Sequence, residues 1–140
     1  MNILTSMEEK HAKFIDEDKP TIKFISALNG MISCGLVTLE QIGIAYNTDK
    51  HSKIVVGYYD EKYYYLIPSV TYNQICSFYS KQNENFSTSR HALLKQLAEE
   101  KFIKTSGGRN TIGHRINNKQ SRYIWFYKDK FDNFESESHK

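Results

Sequence analysis

The sequence predicts an α+β fold, a winged helix-turn-helix extended on its N-terminal side by an additional helix and a β-hairpin. Apolar residues recur at helical spacing in three stretches, and β-branched and aromatic runs come in pairs around short polar turns. The last two helical stretches are separated by a polar turn and followed at once by the second pair of runs, which is the layout of a helix-turn-helix with a wing. At 140 residues the chain has the length of one domain. The expected divisions are residues 1–19 as a flexible segment or linker, 20–128 as the winged-helix domain, and 129–140 as a disordered acidic tail.

Pro20 suits the first turn of a helix, and the acidic run Asp16, Glu17 and Asp18 before it complements the helix dipole. Ile22, Ile25, Leu28 and Ile32 then fall on one face, and Gly35 supplies a C-terminal cap. Residues 36–39 are short and β-prone, and 41–53 read as a polar loop. Residues 54–59 and 63–67 form a hairpin across Asp60-Glu61-Lys62. Pro68 stops it, and residues 69–81 carry Tyr72, Ile75, Cys76 and Tyr79 at helical spacing. Ser87, Thr88 and Ser89 are candidate N-caps for a third helix over 90–101, with Leu93, Leu94, Leu97 and Ala98 inward. Thr105 to Gly108 turns the chain, and residues 111–116 and 121–127 are the wing strands around Asn117-Asn118-Lys119-Gln120. Tyr123, Trp125 and Tyr127 lie on one face of the returning strand, Ile124 and Phe126 on the other.

Hydrophobic residues make up 39% of the chain and aromatics 14%, a globular rather than disordered balance. No apolar run approaches the ~20 residues of a membrane helix. The first nineteen residues are interrupted by Glu8, Glu9, Lys10, Lys13, Asp16, Glu17 and Asp18, which breaks any signal-peptide core. Cys34 and Cys76 each lie in an amphipathic stretch and suit small buried hydrophobes in a reducing compartment. A cytoplasmic protein without membrane contact is the expectation.

Charge is spread unevenly. Residues 81–128 hold ten Lys and Arg against three Asp and Glu, a net +7, whereas 1–80 and 129–140 are each net −2. A compact segment with that imbalance attracts polyanions; on charge alone, a merely solvated basic face is the alternative. Position adds to the polyanion reading. Ser87, Thr88, Ser89 and Arg90 cluster at the start of the third helix, where backbone N–H groups favour phosphate and where recognition helices meet base edges. Lys95 lies one turn on, and Lys104, Arg109, His114, Arg115, Lys119 and Arg122 flank or occupy the wing. Tyr58, Tyr59, Tyr63, Tyr64 and Tyr65 crowd the first hairpin. They are either a stacking platform for single-stranded bases, anchors at an interface, or core residues packing in alternation.

Catalytic readings fare poorly. The sequence has no phosphate-binding G-x-x-x-x-G-K-[ST] run, and Ser106-Gly107-Gly108-Arg109 lacks the lysine and following helix such a loop needs. His11, His51, His91, His114 and His139 stand singly, without the spacing that closes a metal site. Asp60 and Glu61 point apart as neighbours and cannot share one reacting bond. The expectation is a non-enzyme with no cofactor, metal or small-molecule substrate. Its partner is DNA, single- or double-stranded, held through phosphates with little sequence preference. A protein–protein interaction module is the first alternative. A sequence-specific transcriptional regulator is the second, disfavoured by the absence of a heptad or dimerisation helix.

Particular stretches resemble a known family. Phe24 to Gly35, Gly57-Tyr58-Tyr59-Asp60 through Tyr64-Tyr65-Leu66-Ile67-Pro68, Leu93-Leu94-Lys95-Gln96-Leu97-Ala98-Glu99-Glu100, Gly108-Arg109-Asn110-Thr111 and Arg115-Ile116 are similar to the C-terminal region of MCM-like AAA+ replicative helicases. These helicases are carried by staphylococcal cassette chromosome elements, prophages and related mobile DNA. The resemblance runs over residues 20–127 and rests on hydrophobic and turn patterns, with no catalytic signature. It implies a DNA-replication accessory region placed after an AAA+ helicase motor, with residues before Lys19 as linker to that motor or with the chain as a stand-alone relative. It implies no ATPase or unwinding activity for these residues.

Overall fold

Proline at the first helical position opens both α1 (Pro20–Ser33) and α2 (Pro68–Ser80) in the computed structural model, which describes residues 19–43 and 54–134. Its missing N–H is one of the orphan donors of a helix start, and its fixed φ already suits the helix. α1 ends as a Schellman motif: the Leu36 amide donates to the Met31 carbonyl at 2.9 Å and the Gly35 amide to that of Ile32 at 3.2 Å. Its buried face is Phe24, Ile25, Ala27, Leu28 and Met31, with Ile22 and Ile32 only partly covered. The stripe is therefore rotated from the one the isoleucines mark. Cys34 is exposed rather than buried, because it falls just past the last turn; it and half-buried Cys76 are free thiols.

Strands β1 (Val37–Gln41), β2 (Ile54–Tyr59) and β3 (Tyr63–Leu66) follow, with β1 parallel to β2 and β2 antiparallel to β3. After α2 come α3 (Arg90–Glu99), a two-residue β4 (Ile103–Lys104), β5 (Ile112–Ile116), β6 (Lys119–Tyr127) and α4 (Lys128–Asp132). The result is a mixed α+β fold, four helices and a six-stranded sheet among the described residues. The sheet order is β1-β2-β3-β6-β4, and β5 pairs with the outer half of β6. Of the loop expected over 41–53, Gln41 is the last residue of β1, and 44–53 lie outside the described residues, as does most of the expected linker, 1–18.

The sheet has two differently built faces. Val37, Val56, Leu66, Ile124 and Phe126 meet Phe24, Leu28 and Met31 of α1, Ile75 of α2 and Leu93 and Leu97 of α3 in the main core. Phe126 is fully buried between Phe24 (6.5 Å), Phe102 (5.7 Å) and Phe131 (5.5 Å). Residues 129–134, expected to fray, are in fact packed: Phe131 and Phe134 are 7% and 8% exposed in that core. Burying a phenylalanine contributes about 1.5–3 kcal/mol, enough to hold a short polar helix in place. Residues 135–140 of the expected tail lie outside the described residues.

The opposite face is aromatic. Tyr63, Tyr65, Tyr123 and Ile116 are buried there, with Tyr58, Trp125 and Tyr127 packed around them. Asp60 closes the β2–β3 turn beneath it, accepting from the Lys62 and Tyr63 amides, both at 2.9 Å, and from the Tyr65 hydroxyl at 2.5 Å. Burial pushes the Asp60 carboxyl up, but the Tyr65 hydroxyl, the two amides and the nearby His114 outweigh it and hold it below its ordinary value of 3.8. A carboxylate depressed on folding stabilises fully above its unfolded value and loses that contribution as pH falls through the folded one. Asp60→Asn should thus lower stability at pH 7 by roughly 1 kcal/mol and narrow the gap to wild type on acidification, as thermal melts between neutral and acidic pH will read.

Candidate nucleic-acid interface

The start of α3 is built locally. The Ser89 hydroxyl accepts the Ala92 amide at 3.2 Å, making Ser89 the N-cap among the three candidates, and the Tyr72 hydroxyl donates to the Thr88 carbonyl at 2.7 Å, tying the approach loop to α2. Neither α2 nor α3 carries an acidic residue in its first turn, so no carboxylate of their own first turns offsets the partial positive charge of these helix starts. Both starts open on one groove of about 700 Å³, where Pro68, Ser69, Arg90 and His91 face Thr111, just before β5, and Arg122 of β6. An adjoining concavity shares His91, Leu94, Thr111 and Arg122 and adds Arg109 and Asn110, so the two form one channel. No carboxylate lines either.

The orientation of the β5–β6 hairpin follows from its aromatic root. The Trp125 indole N–H donates to the Ile112 carbonyl at 3.1 Å, and the His114 ring packs on Tyr65 at 4.8 Å and Trp125 at 5.2 Å. Its tip is the two-residue turn Asn117-Asn118, with φ of +53° and +66°, a conformation asparagine tolerates and type I′ hairpins require. Lys119 and Gln120, expected in the turn, already belong to β6. A second tight turn, Gly107-Gly108 at φ +57° and +77°, closes between Ser106 and Arg109, whose backbones exchange hydrogen bonds at 3.0 and 3.1 Å. Glycine adopts both conformations at no steric cost, and the turn leads directly into Arg109, which lines the second concavity.

Strand parity divides the cations. Gly113 pairs with Arg122 and Arg115 with Gln120, so Arg115 and Arg122 share the side of the β5–β6 hairpin on which Ile124 and Phe126 meet the helices. Arg90, Arg109, Arg122 and His91 line the groove; Arg115 shares the strand face of Arg122 without lining it, and Lys95 is exposed on α3. The remaining expected site residues lie elsewhere. Lys104 lies over the rings of Tyr63 (5.8 Å) and Trp125 (5.3 Å) on the aromatic face. His114 is packed into the same cluster, and Lys119, paired with Ile116, shares its parity. Ser87 and Thr88 border a separate small cleft beside Pro20 and Lys23. Among the described residues no ion pair engages Arg90, Arg109, Arg115 or Arg122.

The hairpin tyrosines do not form a platform. Tyr63 and Tyr65 are 7% and 3% exposed, so neither can offer a ring face to a base. Tyr64 is turned to the other side, against Phe131 and hydrogen-bonded to Asp132 at 2.7 Å. Burial first and then that Asp132 bond push the Tyr64 hydroxyl up, as burial and Asp60 do for Tyr65. Tyr59 lies against Tyr64 and under Lys128, and Tyr58 against Tyr123. Alternation along the hairpin accounts for all five. Ser69, His91, Asn110, Thr111 and Ser121 line the groove without having been singled out as binding residues; Pro68 at a helix start was the available signal for Ser69. Among the described residues no helix is long and apolar enough to cross a membrane. Comparison with protein-family models and with curated proteins finds no match to this chain.

Proposed function

We propose that the chain is a winged-helix module that binds DNA through its phosphates, with little sequence preference and without catalysing a reaction on it. The winged-helix reading rests on the succession β3, α2, α3, β4, β5, β6 with β6 inserted between β3 and β4, which makes α3 the recognition helix and β5–β6 the wing. The observation that carries the function is the groove itself: two helix starts and the guanidinium groups of Arg90, Arg109 and Arg122 converge on a channel with no carboxylate in its lining. Backbone N–H groups at a helix start and arginine forks are the donors that phosphate accepts best. The resemblance to the C-terminal region of mobile-element replicative helicases suggests the setting, a module that positions DNA for a motor.

If Arg90, Lys95, Arg109, Arg115 and Arg122 neutralise about five phosphates, log K should fall with log salt at a slope of roughly −4 to −5 on duplex DNA. Fluorescence anisotropy across a salt series measures it, and an interaction insensitive to salt overturns the mechanism. A protein-interaction role is the second reading, favoured by one feature: the large hydrophobics Leu36, just before β1, and Ile54, at the start of β2, are 51% and 43% exposed. A gel shift beside a light-scattering mass separates the two, since the first reading expects shifted DNA and the second an associated protein.

A further inference from the structure

We propose that Thr111 is a positioning residue that holds the Arg122 guanidinium with one edge free to take a DNA backbone phosphate in the groove, an assignment that rests on the DNA-binding reading above. A guanidinium presents five N–H donors in a rigid plane. Arg122 spends its side-on edge inside the wing: Nε donates to the Thr111 hydroxyl at 3.0 Å and Nη2 donates to the Thr111 carbonyl oxygen. The end-on edge, formed by Nη1 and the second hydrogen of Nη2, has no partner among the described residues. Across the ladder Arg122 faces Gly113, so the opposite strand places no side chain between the guanidinium and Thr111.

Both residues line the groove beside Arg90, His91 and Ser121. An end-on guanidinium edge matches two oxygens of one phosphate bidentately. Arg122 is exposed, and an exposed arginine without a tether loses its rotamer freedom at the moment of binding; one already pinned by its other edge has lost that freedom beforehand, which is the gain of preorganisation. The carbonyl half of the tether is backbone and survives any substitution. The hydroxyl half is the part that sequence controls.

Anisotropy on a short random-sequence duplex, with a melting curve for each variant, tests the assignment. Thr111→Val removes the hydroxyl and leaves every cation in place, so affinity should fall about fivefold while the salt slope stays at its wild-type value. Thr111→Ser should bind as wild type. Arg122→Lys, which keeps the charge and Thr111 but has no side-on edge, should also weaken binding at constant slope, and it carries the test if Thr111→Val does not fold. Thr111→Val binding as tightly as wild type overturns the assignment, as does Thr111→Ser binding as weakly as Thr111→Val. In both cases wild-type binding still supports the DNA reading; a wild-type chain that does not bind the duplex overturns that reading and this one together.

Discussion

Replacing Gly57 by alanine is expected to destabilise the fold by about 3–5 kcal/mol, although the change adds a single methyl group. A Cβ at this position would lie inside van der Waals contact of the Tyr65 carbonyl oxygen and 2.9 Å from the Leu66 Cα. Those are backbone atoms of the adjacent strand β3, which cannot swing aside as a side-chain end would. The site is also where β2 bulges: Thr38 pairs with Val55 but Leu39 with Gly57, so Val56 is skipped in the ladder. The Val56 carbonyl is satisfied instead by the Ile67 amide at 2.8 Å and the fully buried Thr71 hydroxyl at 3.1 Å. Pushing β3 away would therefore disturb the start of α2 as well as the sheet. For a domain of this size the melting temperature should drop by roughly 10–17 °C, read by circular dichroism. An unchanged melting curve would mean that β2 and β3 are not packed this closely.

Local signals account for what the sequence made legible. The three long helices follow from apolar spacing together with Pro20, Pro68 and the Ser87-Thr88-Ser89 cluster, because caps and amphipathic faces are written within a few residues. Strands β5 and β6 follow from alternation, and Ile124 and Phe126 do face the helices while Tyr123, Trp125 and Tyr127 face away. What was not legible is set by contacts distant in sequence. Phe131 and Phe134 sit among Asp129, Asp132 and Glu135 and read as a polar tail, yet Phe126 and Tyr64 provide a place to bury Phe131. The parallel pairing of β1 with β2 cannot be seen in either strand alone. The net +7 of residues 81–128 counts charges without regard to face, so it merges Lys104, which covers the rings of Tyr63 and Trp125 on the aromatic side, with the arginines of the groove. Only the register of β4, β5 and β6 separates them.

That separation makes the double variant Arg115→Ala, Arg122→Ala the most informative change to the interface. Both side chains are exposed and project from the same side of the β5–β6 hairpin by its register; the two exposed hydrogen bonds from Arg122 to Thr111 are lost with them, so stability should fall by about 1 kcal/mol. Each guanidinium removed from a phosphate costs about 1–1.5 kcal/mol of binding, as charge-assisted hydrogen bonds do near a surface. Affinity should therefore fall by roughly 30- to 150-fold, equally for unrelated duplex sequences because phosphates carry no sequence information. The salt slope should also become shallower by about 1.8, two counterions fewer being released. Lys104→Ala removes the same charge from the same segment, but from the aromatic face, and should leave the slope at its wild-type value. Equal slopes for the double variant and wild type would take the wing out of the interface, whereas a shallower slope for Lys104→Ala would mean that DNA is drawn to the overall charge of this half of the chain and not to the groove.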